Sequence, residues 1–199
     1  MKLIEAYQEQ QLKDIQDLYE KAFPASEKKP FSLILEKRKE GVVEVLAIEG
    51  EERFLGLAIA ILYKDMVLLD YFAVAANKRG KGVGSAAIQL LKERYANKRF
   101  FLEIERTDIE AENLEERCRR REFYLKNGLA PISLFVELFK VEMEVLTNHC
   151  MVSSDCRQSP ALLCGIFLCQ VPESLVFMRT FWHFSGIIKV LNQGRRFQL

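Results

Sequence analysis

Hydrophobic residues in the first 145 positions follow two periods, one typical of helices and one typical of strands. Apolar residues recur at helical spacing before Pro24, which stops that helix: Leu12, Ile15, Leu18, Tyr19 and Phe23. The other patterns predict strands at residues 2–7, 42–48, 54–63, 66–74, 99–105, 131–138 and 141–146, and helices at 32–39, from about 82, and at 113–126. The resulting order, β-α-α-β-β-β-α-β-α-β-β, predicts an α/β (α+β) fold in which helices pack on a mixed sheet.

The composition changes sharply near residue 146. The last 54 residues carry only seven charged side chains, whereas the first 145 carry fifty. The later segment also holds both histidines, the single tryptophan and four of the five cysteines. We therefore predict one complete domain at residues 1–146 and a separate tail of unknown role at residues 147–199.

The overall charge and the apolar runs narrow the class of protein. A formal net charge of +1 gives no reason to expect a nucleic-acid partner. The first residues lack the apolar stretch of a signal peptide, and no apolar run is long enough for a membrane span. Five cysteines in an otherwise ordinary composition are best explained as reduced thiols. We therefore expect a cytoplasmic protein.

A glycine-rich basic loop joins the apolar strand at 66–74 to the next helix. Residues 79–84 read Arg-Gly-Lys-Gly-Val-Gly, and Lys78 precedes them. Glycines let the main chain approach a ligand, and the free N–H groups of a helix N-terminus attract anions. The loop therefore predicts a pyrophosphate site, with a solvated basic turn as the plainer alternative.

Two other phosphate-binding loops compete with this interpretation. The nucleotide P-loop pattern is absent. The dinucleotide fingerprint is a closer rival, because Gly82, Gly84 and Ala87 fit it and Glu103 lies 21 residues after Gly82. Against it, residues 77–80 separate the strand from Gly82, the loop lies mid-chain after strands that look antiparallel, and no second strand-helix-strand unit follows.

With these motifs in place, the chain resembles the GNAT superfamily of N-acetyltransferases. Residues 79–84 match the acetyl-CoA signature [RQ]-x-x-G-x-[GA], and residues 70–74, Asp-Tyr-Phe-Ala-Val, look like the family's fourth strand. A second signature, an aromatic pair with glycine four residues after the tyrosine, matches residues 123–129, Phe-Tyr-Leu-Lys-Asn-Gly-Leu. The resemblance covers residues 1 to about 146 and implies a mostly antiparallel sheet of six to seven strands flanked by about four helices.

The resemblance also implies roles for particular residues. It implies that acetyl-CoA is the cosubstrate and that Tyr124 protonates the departing thiolate. The main chain of Phe72, Ala73 and Val74 is expected to pair with the pantetheine arm. The expected pyrophosphate-binding residues are those of the loop and the start of its helix: Arg79, Gly80, Lys81, Gly82, Val83, Gly84 and Ser85. Arg117 stands where many members of the family carry asparagine, which leaves the supporting contacts of that helix open.

Acetylation of an amine needs a proton acceptor, because an alkyl ammonium ion has a pKa near 10.4. The candidate bases are Asp70, the one charge in its apolar strand, and Glu103 and Glu105, which project from the same face of the next strand. We favour Glu103. The alternative for each acid is a structural ion pair with a nearby arginine, and the alternative for Tyr124 is a tyrosine that only packs against the core.

The tail permits several interpretations. Its cysteines lack the C-x-x-C spacing of a structural zinc site, so we predict no metal. Its apolar segments could cover the domain or a partner, or the tail could be the product of a shifted reading frame. The oligomeric state stays open, with a homodimer among the alternatives because the tail is apolar.

The leading hypothesis is an N-acetyltransferase that moves an acetyl group directly from acetyl-CoA to a primary amine. The alternative is a non-catalytic acyl-CoA-binding regulatory module of the same fold. The sequence does not identify the acceptor, which could be a small-molecule amine, a peptide N-terminus or a protein lysine.

Overall fold

The structure is a computed structural model that describes residues 1–51, 53–138, 141–148, 189–192 and 195–197. The chain divides into two compact units, Met1–Leu102 and Glu103–Leu199.

The first unit contains five strands and three α-helices. Its elements are β1 (Lys2–Glu5), α1 (Glu9–Ala22), α2 (Phe31–Lys39), β2 (Val43–Glu49), β3 (Phe54–Tyr63), β4 (Met66–Val74), a short 3-10 helix (Ala76–Lys78), α3 (Val83–Arg94) and the first four residues of β5 (Arg99–Glu105). The strands lie in the order β1-β2-β3-β4-β5. The pairings from β1 to β4 are antiparallel, whereas β4 and β5 run parallel and α3 connects them.

The apolar face of each helix in this unit packs on the sheet. Helix α1 contacts β3 and β4 and buries Ile15 and Tyr19, two of the residues in the predicted helical stripe. Helix α2 contacts β2, and α3 contacts β1 and β4 with Ala87, Ile88 and Leu91 fully buried. The core therefore lies on both faces of β2, β3 and β4, and for β4 the nearly continuous apolar sequence predicts this burial.

Strand β4 contains a β-bulge at Asp70. Ile59 pairs with Tyr71 and the next residue, Ala60, pairs with Leu69, so Asp70 is the extra residue on β4. The ladder between β4 and β5 ends near the same point, because its last pair is Leu69 with Leu102. The pairing of β4 with β3 continues to Val74. A bulge bends its strand and locally increases its twist, so the direction of β4 changes after its first four residues.

The second unit contains the end of β5, helix α4 (Leu114–Lys126), and strands β6 (Ala130–Leu138), β7 (Val141–Thr147), β8 (Lys189–Asn192) and β9 (Arg195–Phe197). Strands β7, β6, β8 and β9 follow one another in the sheet, and each pairing is antiparallel. Just after β5, the Arg106 N–H donates a 3.0 Å hydrogen bond to the Glu142 carbonyl oxygen of β7.

The predicted fold class and element order are confirmed over the first 146 residues. Strands β3, β4 and β5 have the predicted bounds, whereas β1 ends at Glu5 instead of Tyr7. The structure adds the 3-10 helix and the strands β8 and β9, which the sequence analysis does not predict. Most of the predicted tail lies outside the described residues, and a domain boundary at residue 146 stays a prediction. Within the described part of the chain, no helix is both long and apolar enough to cross a membrane.

Candidate functional site

The glycine loop has the geometry of an anion-binding helix start. Gly80 and Gly82 adopt φ angles of +73° and +79°, which residues with a side chain rarely adopt, and Gly82 immediately precedes α3. The first hydrogen bond of the helix runs from the Ala86 N–H to the Gly82 carbonyl oxygen. The N–H groups of Val83, Gly84 and Ser85 therefore precede the helical ladder and lie at its positive end.

Three basic residues precede this helix start in the sequence. Arg79 and Lys81 are exposed and Lys78 is half-buried. The Arg79 Nε–H donates a 3.1 Å hydrogen bond to the carbonyl oxygen of Val74, the last residue of β4. Arg79 therefore connects the loop to the end of the strand that carries Phe72 and Ala73. The strand end and the loop are the two segments expected to hold the pantetheine arm and the pyrophosphate, and both lie in the first unit.

Asp70 forms a buried ion pair with Lys29. The two side chains are 2% and 6% exposed, and Lys29 Nζ lies 2.6 Å from Asp70 Oδ2. Lys29 precedes α2 and is 41 residues away in sequence. A carboxylate that neutralises a buried ammonium ion is poorly suited to accept a further proton, so this contact favours a structural role for Asp70 over the predicted role of base.

Glu105 also forms ion pairs, in the second unit. Its carboxylate pairs with Arg120 and, at 3.2 Å, with Arg117, and it accepts a 3.2 Å hydrogen bond from the Asn113 side chain. Arg117 is the residue that departs from the family pattern. Its guanidinium thus helps to hold the start of α4 against the end of β5.

Glu103 lies two residues earlier on the same face of β5. Glu103 is half-buried, and its sequence neighbours Leu102 and Ile104 are buried. The Oε1 atom of Glu103 is itself buried. Glu103 is therefore better shielded from water than a surface carboxylate, as expected of a base in an active site. Its assignment stays a prediction.

Tyr124 lies near the end of α4, in the second unit, and is buried. It is 8% exposed, and its ring meets that of Phe123 edge-on at 5.1 Å. Burial raises the pKa of the Tyr124 hydroxyl to about 12, and the positive charge of Arg120 opposes that rise only in part. Among the described residues, none forms a hydrogen bond with this hydroxyl. Tyr124 is therefore a neutral phenol at physiological pH and retains a proton to donate.

The predicted site residues fall into two groups. Asp70, the end of β4 and the loop at 79–85 belong to the first unit, while Glu103 and Tyr124 belong to the second. Lys29 was not predicted from the sequence, because it lies in a charged stretch without periodicity. The one available signal was the lone acid in β4, because a buried carboxylate requires a cation.

A separate groove lies at the opposite edge of the first unit's sheet. It has a volume of about 640 Å³ and is lined by β1, the start of α1 and the turn between β2 and β3. Its polar groups largely pair with one another, as in the 2.8 Å hydrogen bond from Gln11 Nε2 to Glu49 Oε1. The groove contains none of the predicted site residues.

Comparison with known proteins identifies similar chains. Residues 12–126 match the family model described as the acetyltransferase (GNAT) family. Among curated protein sequences, none matches the chain.

Solved structures share the fold at low sequence identity. A GNAT-family acetyltransferase of unproven activity from Bacteroides thetaiotaomicron is 18% identical with a TM-score of 0.65, over 79% of this chain and 92% of that one. An aminoglycoside 6'-N-acetyltransferase complexed with coenzyme A is 15% identical with a TM-score of 0.59, over 77% and 100%. A ribosomal-protein-alanine N-acetyltransferase from Brucella melitensis is 16% identical with a TM-score of 0.51, over 74% and 98%.

Proposed function

Since the chain belongs to the GNAT family of acetyltransferases, we propose that it transfers an acetyl group from acetyl-CoA to a primary amine. The observation that carries the proposal is the loop at the start of α3. There, Gly80 and Gly82 have positive φ angles, and the N–H groups of the first three helical residues lie at the helix N-terminus. Three basic residues, Lys78, Arg79 and Lys81, lie next to these positions in the sequence.

The first part of the proposal concerns binding of the coenzyme. The N–H groups at the start of α3 hold the pyrophosphate, and Arg79, Gly80, Lys81 and Gly82 form the loop around it. The main chain of Phe72, Ala73 and Val74 pairs with the amide groups of the pantetheine arm. The end of the β4–β5 ladder at Leu69 supports this assignment, because β4 continues beyond the point where that pairing stops.

The second part concerns proton transfer. Acetyl-CoA supplies a thioester, and the neutral amine attacks the carbonyl carbon of its acetyl group. Glu103 takes the proton from the amine, and Tyr124 gives a proton to the sulfur as the thiolate departs. Tyr124 still carries its proton at the pH of the reaction, as an acid must, and its burial in a family motif is the feature that supports this role. The buried Oε1 atom of Glu103 supports its assignment as the base. The carboxylate of Glu105 pairs with Arg117 and Arg120, which favours a structural role for that residue.

The acceptor is proposed only as a class. The similar structures act, by their names, on an aminoglycoside and on the alanine of a ribosomal protein, and both targets provide primary amines. We propose a primary amine acceptor without choosing between a small molecule, a peptide N-terminus and a protein lysine.

The first experiment measures coenzyme binding. Thermal unfolding of the purified chain is recorded alone and with acetyl-CoA, free CoA or NADH. Ligand at 100 times its dissociation constant stabilises the folded state by about 2.7 kcal/mol. The proposal expects a higher unfolding midpoint with acetyl-CoA and CoA and an unchanged midpoint with NADH. A shift with NADH alone would support the dinucleotide interpretation and refute ours.

The second experiment separates a catalyst from a binding module. Release of the CoA thiol is followed with a thiol reagent while the chain is incubated with acetyl-CoA and a panel of amines, including aminoglycosides and peptides with N-terminal alanine. An amine-dependent release supports the transferase. Tight binding of acetyl-CoA without release for any amine class would favour the regulatory module, the alternative function that the family fold permits.

A further inference from the structure

The buried ion pair between Lys29 and Asp70 lies at the bulge of β4. Asp70 is the extra residue of the bulge. Its side chain is only 2% exposed. Two residues later begins the segment 72–74, which the proposed function assigns to the pantetheine arm. The ion pair and the proposed coenzyme segment are therefore neighbours on one strand.

Lys29 itself is fixed in place by its surroundings. Its N–H donates a 2.8 Å hydrogen bond to the Tyr19 hydroxyl, which in turn donates to the Lys29 carbonyl oxygen at 3.0 Å. The ammonium group lies 3.4 Å from the Tyr71 hydroxyl and 4.9 Å from the centre of the Tyr71 ring. The Tyr71 hydroxyl donates a 2.8 Å hydrogen bond to the carbonyl oxygen of Glu27. The chain before α2 is thus held to α1 and β4 by several contacts.

The ion pair joins the bulge of β4 to the chain before α2. A buried carboxylate without a partner is strongly unfavourable, because its desolvation is no longer compensated. If either charged group were removed, the bulge would also lose the ion pair that fastens residue 70 to the chain before α2, and β4 could rotate or shift its register there. Since Tyr71 and the residues after it follow Asp70 directly, such a shift moves the main chain of Phe72, Ala73 and Val74.

We propose that Lys29 is a positioning residue for acetyl-CoA: by pairing with Asp70 it holds the bulge of β4, and the bulge sets the main chain of residues 72–74 for pairing with the pantetheine arm. This inference rests on the proposed function. Lys29 does not touch the reacting atoms in this proposal and acts only through Asp70 and the strand.

The test separates positioning from fold stability by comparing single and double variants. Lys29→Met and Asp70→Asn each leave one buried charge without its partner, so both lower the unfolding midpoint. The double variant Lys29→Met/Asp70→Asn leaves neither charge, so its midpoint returns toward that of the wild type. The dissociation constant for free CoA, measured by titration calorimetry, is expected to rise at least tenfold in both single variants and to stay raised in the double variant.

The result that overturns the proposal is a double variant that recovers both its unfolding midpoint and wild-type affinity for CoA. That outcome would show that the ion pair contributes to stability alone. The matched control is Lys37→Met, which removes the lysine of the Lys37–Glu40 ion pair at the end of α2; that helix packs on β2. Its affinity for CoA is expected to equal that of the wild type.

A second measurement keeps the test valid if CoA binding itself fails. Hydrogen exchange of the peptide covering residues 70–75 is compared between the wild type and the Lys29→Met variant without any ligand. Faster exchange in this peptide, with unchanged exchange in β2, supports control of the bulge by Lys29. Equal exchange refutes it. If the wild type does not bind CoA, the proposed function fails while the exchange result still decides whether Lys29 holds the strand.

Discussion

Gly56 on β3 lies directly against the carbonyl oxygen of Ala73 on β4. A Cβ atom at position 56 would lie 2.4 Å from that oxygen and 3.1 Å from the Val74 Cα. Gly56 and Val74 are also partners in the β3–β4 register. The absence of a side chain at position 56 therefore sets how closely β3 approaches the residues proposed to bind the pantetheine arm.

We predict that Gly56→Ala displaces the end of β4. The added methyl group meets main-chain atoms that cannot rotate away, and overpacking of this kind costs about 1–3 kcal/mol of folding free energy. CoA affinity is expected to fall as well, which calorimetric titration measures. Gly50→Ala is the control, because its Cβ would meet only the flexible Leu55 side chain, at 3.2 Å. Equal CoA affinity in Gly56→Ala and the wild type would contradict the proposed role of residues 72–74.

A second pair of glycine variants tests the loop. Gly82 and Gly41 have φ angles of +79° and +76°, and at both positions a Cβ would meet no atom within 4 Å. Alanine in this conformation costs about 1–2 kcal/mol, so Gly82→Ala and Gly41→Ala should lower stability by similar amounts. Only Gly82→Ala should weaken CoA binding, because Gly82 precedes α3 at the proposed pyrophosphate site. A similar loss of affinity in both variants would mean that the loop has no special role.

Tyr124→Phe tests the proposed acid. Loss of a general acid typically lowers the rate of the chemical step by about 100-fold or more, whereas the phenyl ring keeps the packing against Phe123. We expect kcat to fall to that extent with little change in CoA affinity. Tyr7→Phe, which alters an exposed tyrosine, should leave kcat unchanged. An unchanged kcat in Tyr124→Phe would leave Tyr124 as a packed core residue.

Glu103→Gln and Glu105→Gln separate the two acids of β5. Glu103→Gln should lower kcat near neutral pH, and kcat should then rise with pH toward the amine's own pKa near 10.4 as unaided deprotonation replaces the base. Glu105→Gln should lower the unfolding midpoint instead, because it removes the carboxylate that pairs with Arg117 and Arg120. The assignment of Glu103 fails if its variant keeps the wild-type pH–rate profile.

Alkaline pH should destabilise the folded state through buried tyrosines. Burial raises the pKa of both Tyr19 and Tyr124 to about 12, above the ordinary value near 10. Below pH 10 their contribution to stability is complete. Between pH 10 and 12 the unfolded chain loses these protons while the folded chain retains them, so stability falls as pH rises. In thermal unfolding series across this range, Tyr124→Phe should show a shallower decline than the wild type. Parallel declines would mean that Tyr124 is not buried in the folded state.

The sequence by itself determined the element order and the two motifs. Strands β3 and β4 were predictable with their bounds because each is a nearly continuous apolar run next to a charged turn, and β5 because apolar residues alternate with glutamates in its second half. The loop at 79–84 was also predictable, since glycines flanked by basic residues just before a helix are typical of an anion-binding turn. Both patterns depend only on residues that are close together in the sequence.

Only the tertiary structure decided how individual charges are used. Asp70 was a plausible base in sequence, but its partner Lys29 is 41 residues away and carries no pattern of its own. The sequence likewise did not show that Glu105, which shares one face of β5 with Glu103, pairs with Arg117 and Arg120 of α4. The bulge at Asp70 is equally invisible in sequence, because it is a property of the register between two strands. Ion pairs and strand register depend on which distant residues folding brings together. The hydrophobic periodicity of a short segment contains no information about those contacts.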